Sequence, residues 1–162
     1  MTEVIGGVTL NHLAWARALG VPAGLFGFQG DDRYGSMIRA EMRRHGIDRS
    51  HIIVRTGASS SFSVIYVDPD AERSITMARA LTAVTTARDI REHFAGYIRG
   101  AAMVTTEISQ LPLDAVLAVL KTAKDAGVPT VLDVDVPPSF AVDVARLGSR
   151  SELEEAIGLA DV

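Results

Sequence analysis

The chain has 162 residues, of which 48% are hydrophobic, enough to bury the core of one domain or of one lobe of a larger one. Lys and Arg number 16 against 20 Asp and Glu, a formal charge of −4, so a nucleic-acid partner is not expected. Zero Cys removes disulfide and thiolate chemistry and fits a reducing cytoplasm, no apolar run is long enough to span a membrane, and Met1-Thr2-Glu3 lacks the basic start of a signal peptide.

The chain opens on Gly6-Gly7, which leads into a helix whose Leu10, Leu13, Ala14 and Ala18 share one face and which Gly20 ends. A glycine pair exposes bare backbone amides, and Asn11 one turn later offers both a donor and an acceptor, which suits a polyhydroxyl ligand such as a sugar. Val21 to Phe26 reads as a strand that breaks into the acidic turn Gly27-Phe28-Gln29-Gly30-Asp31-Asp32. Tyr34, Ile38 and Met42 mark a second amphipathic helix stopped by Gly46, with Arg39, Arg43 and Arg44 on its solvated outer face.

Three short β-rich runs follow without an intervening helix: Ile52 to Val54, Ser63 to Val67 and Ser74 to Met77. In a chain that otherwise alternates strand and helix, they predict a small separate sheet. Phe62, Val64 and Tyr66 alternate with Ser63, Ile65 and Val67, so both faces are largely apolar and each needs a cover. Thr86 with Asp89 resembles a capping box, and Ala101 to Thr105 reads as a buried strand. Pro112 fits a helix first turn, with Leu113, Val116, Leu117 and Leu120 as its stripe and Gly127 as its stop. Pro129 to Val134 is the next strand, Ser151 with Glu154 a second capping box, and Asp161-Val162 the start of another strand.

The sequence GGxxxN from Gly6 to Asn11, then Leu19-Gly20, then GxxGDDxxG from Gly27 to Gly35, resembles the N-terminal signature of the ribokinase-like (PfkB) carbohydrate kinases. Asp48, Thr56-Gly57 and the Asp68-Pro69-Asp70 turn fall in the same order, so the resemblance covers nearly the whole chain. It implies an α/β fold: a mostly parallel sheet flanked by helices, with a β lid at about 51–80. It also implies that residues 1–162 are the N-terminal part of a single, incomplete domain. The implied activity is transfer of the ATP γ-phosphoryl to a sugar hydroxyl, with Mg²⁺ on the phosphates. The implied catalytic base lies in the other half of such an enzyme, so no catalytic residue, nucleotide motif or metal ligand is assigned here. The alternative is a non-catalytic sugar-binding or interaction protein derived from that fold.

By the same resemblance, Gly6, Gly7, Asn11 and Glu107 are the substrate-binding candidates. Phe62, Val64 and Tyr66 are the candidate lid contacts, and the lid is a candidate homodimer surface. Asp31 and Asp32 fix a turn and cap a helix rather than catalyse. Asp133 and Asp135 could pair on a hard cation such as Mg²⁺. They also fall on the family's Asp-x-Asn-x-Arg pattern, but with Asp135 at the Asn position and Pro137 at the Arg position, which argues against an acidic sugar. The histidines, 12, 45, 51 and 93, have no metal-ligand spacing and are assigned to scaffold or surface. Trp15, Phe94 and Tyr97 are assigned to the core.

Overall fold

In the computed structural model, which describes residues 3–162, helix and strand alternate except at one hairpin. The elements are α1 (Val8–Ala18), β1 (Gly24–Gly30), α2 (Arg33–Arg44), β2 (Asp48–Arg55), β3 (Phe62–Val67) and β4 (Arg73–Ala78). The short α3 (Ala80–Ala83) and α4 (Ala87–Asp89) lead into a π-helical turn, Ile90–Phe94, and α5 (Ala95–Arg99). Then come β5 (Val104–Glu107), α6 (Leu113–Asp125), β6 (Thr130–Asp133), a second π-helical turn at Phe140–Val144, and α7 (Arg150–Leu159).

Successive strand residues point to opposite faces, and β1 and β2 use both. Leu25 and Ile52 pack with Leu10 and Leu13 of α1 and with Ile38 and Met42 of α2. Phe26, Phe28 and Ile53 pack on the opposite side against Ile90, Phe94 and Ile98. The result is a helix–sheet–helix sandwich around a parallel pair. A second parallel pair, β5 with β6, shares the core of α6, whose other side meets Leu147, Leu153 and Ala156 of the C-terminal segment. Helix α1 touches both pairs, through β1 and through β5.

Several boundaries differ from the sequence reading. Gly27 to Gly30 is not a turn. It continues β1 and pairs in register with Ile52 to Arg55. Ile52 to Val54 therefore belongs to the parallel pair, and the separate sheet contains β3 and β4 alone, joined by the expected Asp68 turn. The distinction is hydrophobic: Ile52 and Ile53 serve opposite cores, a requirement of a strand covered on both faces and not of a detached one. The capping box predicted at Ser151 is formed two residues earlier, by Ser149 and Glu152, whereas the Thr86–Asp89 box forms as expected. Asp161-Val162 runs beside β6, with Val162 N–H donating to Thr130 O and Leu132 N–H to Val162 O. Of the three aromatic residues assigned to the core, Phe94 is buried, Tyr97 half-buried, and Trp15 is 70% exposed on α1.

Phe94 is the joint between layers, with its ring centroid 5.3 Å from those of both Phe26 and Phe28. Phe94→Ala should lower the unfolding free energy by about 3–5 kcal/mol. A urea midpoint equal to that of the wild type would show that the ring does not join them.

Candidate functional site

Ligands of open α/β sheets bind beyond the carboxyl ends of parallel strands. Here β5 ends on Glu107 and β6 on Asp133, which are partners in the parallel register. Helix α1 starts beside them. Its N-cap, Gly7, has φ +106, a conformation that glycine adopts without strain, and it supplies no side-chain cap. Glu107 performs that function from a distance: its Oε2 accepts from both Thr9 N–H and Thr9 Oγ1, each at 3.2 Å, while Ser109 Oγ donates to Oε1 at 2.8 Å. A carboxylate at a helix start is also favoured by the helix dipole. Three residues along the same flank, His12 Nε2 lies 3.6 Å from Asp133 Oδ2.

The structure thus brings Glu107 to the helix that follows Gly6-Gly7, and leaves both glycines exposed with free space around them. Asn11 is on a different flank of α1, where it lines an open cleft with Ala14, Trp15, Ala18 and His45. Among the described residues, no hydrogen bond joins Asn11, Phe62, Val64 or Tyr66 to Glu107. In the hairpin, Phe62 stacks on Tyr34 of α2 at 5.0 Å and Tyr66 is exposed. Sequence reasoning missed Thr9, Ser109 and the His12–Asp133 pair. The i, i+3 spacing of Thr9 and His12 was the available signal, but it carries meaning only once the register sets Glu107 beside Asp133. Among the described residues no group of three or more His, Asp or Glu is placed to hold a metal ion.

The acidic turn has the structural role expected of it. Asp32 caps α2 by accepting from Gly35 N–H (2.8 Å), and also accepts from the N–H and Oγ of Ser60, both at 2.8 Å. Asp31 accepts from Gly57 N–H at 3.0 Å. The two carboxylates therefore fasten the segment that leads into β3. Gly35 has to be glycine here, because an added Cβ would lie 2.7 Å from Ser60 Oγ and 2.9 Å from an Arg39 nitrogen. Arg39 is not on a solvated face: it donates to Gln29 Oε1 (3.1 Å) and Gly30 O (3.2 Å), while Arg43 and Arg44 are exposed.

Burial alone would raise the Asp32 pKa, but the bonds from Gly35 and Ser60 outweigh it and hold the carboxyl below its ordinary value. A carboxylate depressed in the folded state adds stability above its unfolded pKa and loses it as pH falls through the folded value. Asp32→Ala should cost about 0.5–2 kcal/mol near neutral pH. The deficit should shrink below about pH 4. A deficit that stays constant through acid denaturation would show that the charge is not what fastens the turn.

Residues 1–159 match the family model for pfkB family carbohydrate kinases. The 5-dehydro-2-deoxygluconokinase of Shouchella clausii is 31% identical over 143 residues, 85% of this chain and 43% of the relative. The ATP-dependent ribose-1-phosphate kinase of Halopiger xanaduensis is 30% identical over 157 residues, 97% of this chain and 48% of the relative. Among solved structures, the PfkB protein from Polaromonas sp. JS666 superposes with a TM-score of 0.81 at 20% identity, covering 99% of this chain and 55% of that one. The chain thus spans about half the length of the relatives it matches, and the alternation of its elements is that of the ribokinase-like α/β fold. With the family match running over residues 1–159, the chain belongs to the pfkB family of carbohydrate kinases.

Proposed function

We propose that this chain is the sugar-binding portion of an ATP-dependent carbohydrate kinase, with the phosphoryl-transfer groups outside these 162 residues. The observation that carries this is the placement of Glu107: a carboxylate at the carboxyl end of β5, bonded to the first turn of the helix that follows two exposed glycines. Such a carboxylate accepts hydrogen bonds from vicinal sugar hydroxyls, and the open backbone at Gly6 and Gly7 admits the ring. Asn11 is assigned to the same ligand from its own flank of α1. ATP would supply the transferred phosphoryl group and Mg²⁺ would neutralise its charge. Among the described residues no group of three or more metal-ligating side chains stands together, and no step of the transfer is assigned to this chain.

The supporting experiment needs no nucleotide. Titration of the chain with neutral sugars such as D-ribose and D-fructose should shift amide resonances of residues 6–12 and 107–109, and Glu107→Ala should weaken binding at least tenfold while ATP turnover stays undetectable. Sugar-dependent ATP turnover by the purified chain would overturn the assignment of transfer groups elsewhere. Saturable sugar binding unaffected by Glu107→Ala would overturn the site.

The hairpin is proposed as a lid over that ligand and as a self-association surface. Phe62, Val64 and Tyr66 share one face, which we assign to the sugar side. The other face carries the cross-strand pair Ile65 and Ile75, 53% and 45% exposed, with Val67 and Met77 beside them. An apolar face on both sides of a two-stranded ribbon has no core of its own to fill and is stabilised by a partner. Ile65→Asp should convert a dimer to a monomer in light-scattering mass measurements. A mass unchanged by the substitution would remove the hairpin from the interface.

A further inference from the structure

We propose that His12 and Asp133 are specificity-determining residues of the same site and make it select a neutral polyhydroxyl acceptor over an anionic one. The inference rests on the sugar-site reading above and deepens it. Glu107 and Asp133 are register partners at the ends of adjacent parallel strands, so their side chains leave the sheet on the same face, about 5 Å apart at the backbone. Helix α1 meets both from one flank, Thr9 at Glu107 and His12 at Asp133.

The two carboxylates are not equivalent. Glu107 has hydrogen bonds on both oxygens from Thr9 and Ser109, which fix its direction. The Asp133 carboxylate accepts no hydrogen bond among the described residues, although the backbone carbonyl of Asp133 accepts from Ile108 N–H at 2.8 Å. The imidazole that faces it, His12, has Nε2 3.6 Å from Oδ2, beyond hydrogen-bond distance. The Asp133 side chain is 36% and that of His12 47% exposed, so both reach solvent at the sheet edge. Asp133 therefore has acceptor capacity open to a ligand donor, and a hydroxyl is the donor that a sugar brings. His12 sits where it can bridge that carboxylate and a neighbouring ligand oxygen.

The charge balance sets the class. The carboxylates at this edge are Glu107 and Asp133, with Asp135 two residues on; the facing imidazole is His12, and no Arg or Lys bonds either Glu107 or Asp133 among the described residues. Position 137, at the end of the same segment, is proline. A carboxylate or phosphate on the ligand would face like charge with no guanidinium from the described residues bonded to either carboxylate to offset it, whereas a hydroxyl donates to the same oxygens. This chain thus departs from the two relatives named above, whose names specify a gluconate-type and a phosphorylated substrate.

The test is a resonance-shift titration of the chain at neutral pH. The neutral probes are D-ribose and D-fructose, the anionic probes D-gluconate and ribose 1-phosphate, and the variants are Asp133→Asn, Asp133→Lys and His12→Gln. Wild type should bind a neutral sugar at least tenfold more tightly than either anion. Asp133→Asn and His12→Gln should each weaken the neutral sugar by about fivefold or more, and Asp133→Lys should shift the preference towards the anions. Backbone spectra of the half-exposed variants establish that they are folded, and His12→Gln serves as the independent variant if one at position 133 is not. Tighter binding of gluconate or ribose 1-phosphate by wild type, or neutral-sugar binding indifferent to the folded variants, would overturn this inference while leaving the sugar site standing. Failure of all four probes to bind wild type would overturn the sugar-site reading, and this inference with it.

Discussion

The arrangement of the molecule depends on how one helix start is held. Helix α1 has no cap of its own, because the residue that precedes it is a glycine at φ +106, and an uncapped first turn leaves backbone donors unsatisfied. Glu107 meets that need from 98 residues away. One carboxylate therefore fixes the end of β5, the entry angle of α1 and the distance between the two parallel pairs that α1 touches. The glycines stay open because the capping group comes from the strand edge and not from their own loop. A site formed this way is assembled by tertiary packing, and its parts have no meaning as separate segments.

A similar economy governs the root of the hairpin. Asp31 and Asp32 hold Gly57 and Ser60, and Ser61 in turn donates to Arg79 O on the exit side, so entry and exit of the β3–β4 ribbon are tied to each other and to α2. Beyond Ser61 the ribbon has its own ladder and the Phe62–Tyr34 stack. The sheet edge and the hairpin root thus differ in character. The first joins elements through a partly buried polar contact at the strand ends, and the second through carboxylates bonded to protein donors.

Much of the fold was legible in the sequence because it rests on local rules. Leu10 and Leu13, Ile38 and Met42, and Leu113 to Leu120 place the helices by periodicity, and Thr86 with Asp89 places a cap by spacing. The failures share a cause. Gly27 to Gly30 looks like a turn by composition, yet Phe26 and Phe28 reach the same aromatic cluster only if the strand continues through Gly27. Ile52 and Ile53 look like part of the later β-rich run, yet their burial on opposite faces joins them to β1. Arg39 reads as surface until the buried Gln29 that it satisfies is seen. In the candidate site, Glu107 and the glycine pair are candidates by resemblance, and the contact between Glu107 and Thr9, like the His12–Asp133 pair, depends on a strand register that spacing along the chain does not encode.

Trp15 carries a consequence for observing this molecule. It is the sole tryptophan of the chain, it is exposed on α1, and it lies one helical turn from Asn11, in the cleft that both share with His45. Its emission is accordingly a local optical signal. It responds to what happens along the outer flank of one helix, so a change in its intensity, whatever its cause, reports on the few residues around Asn11 and His45.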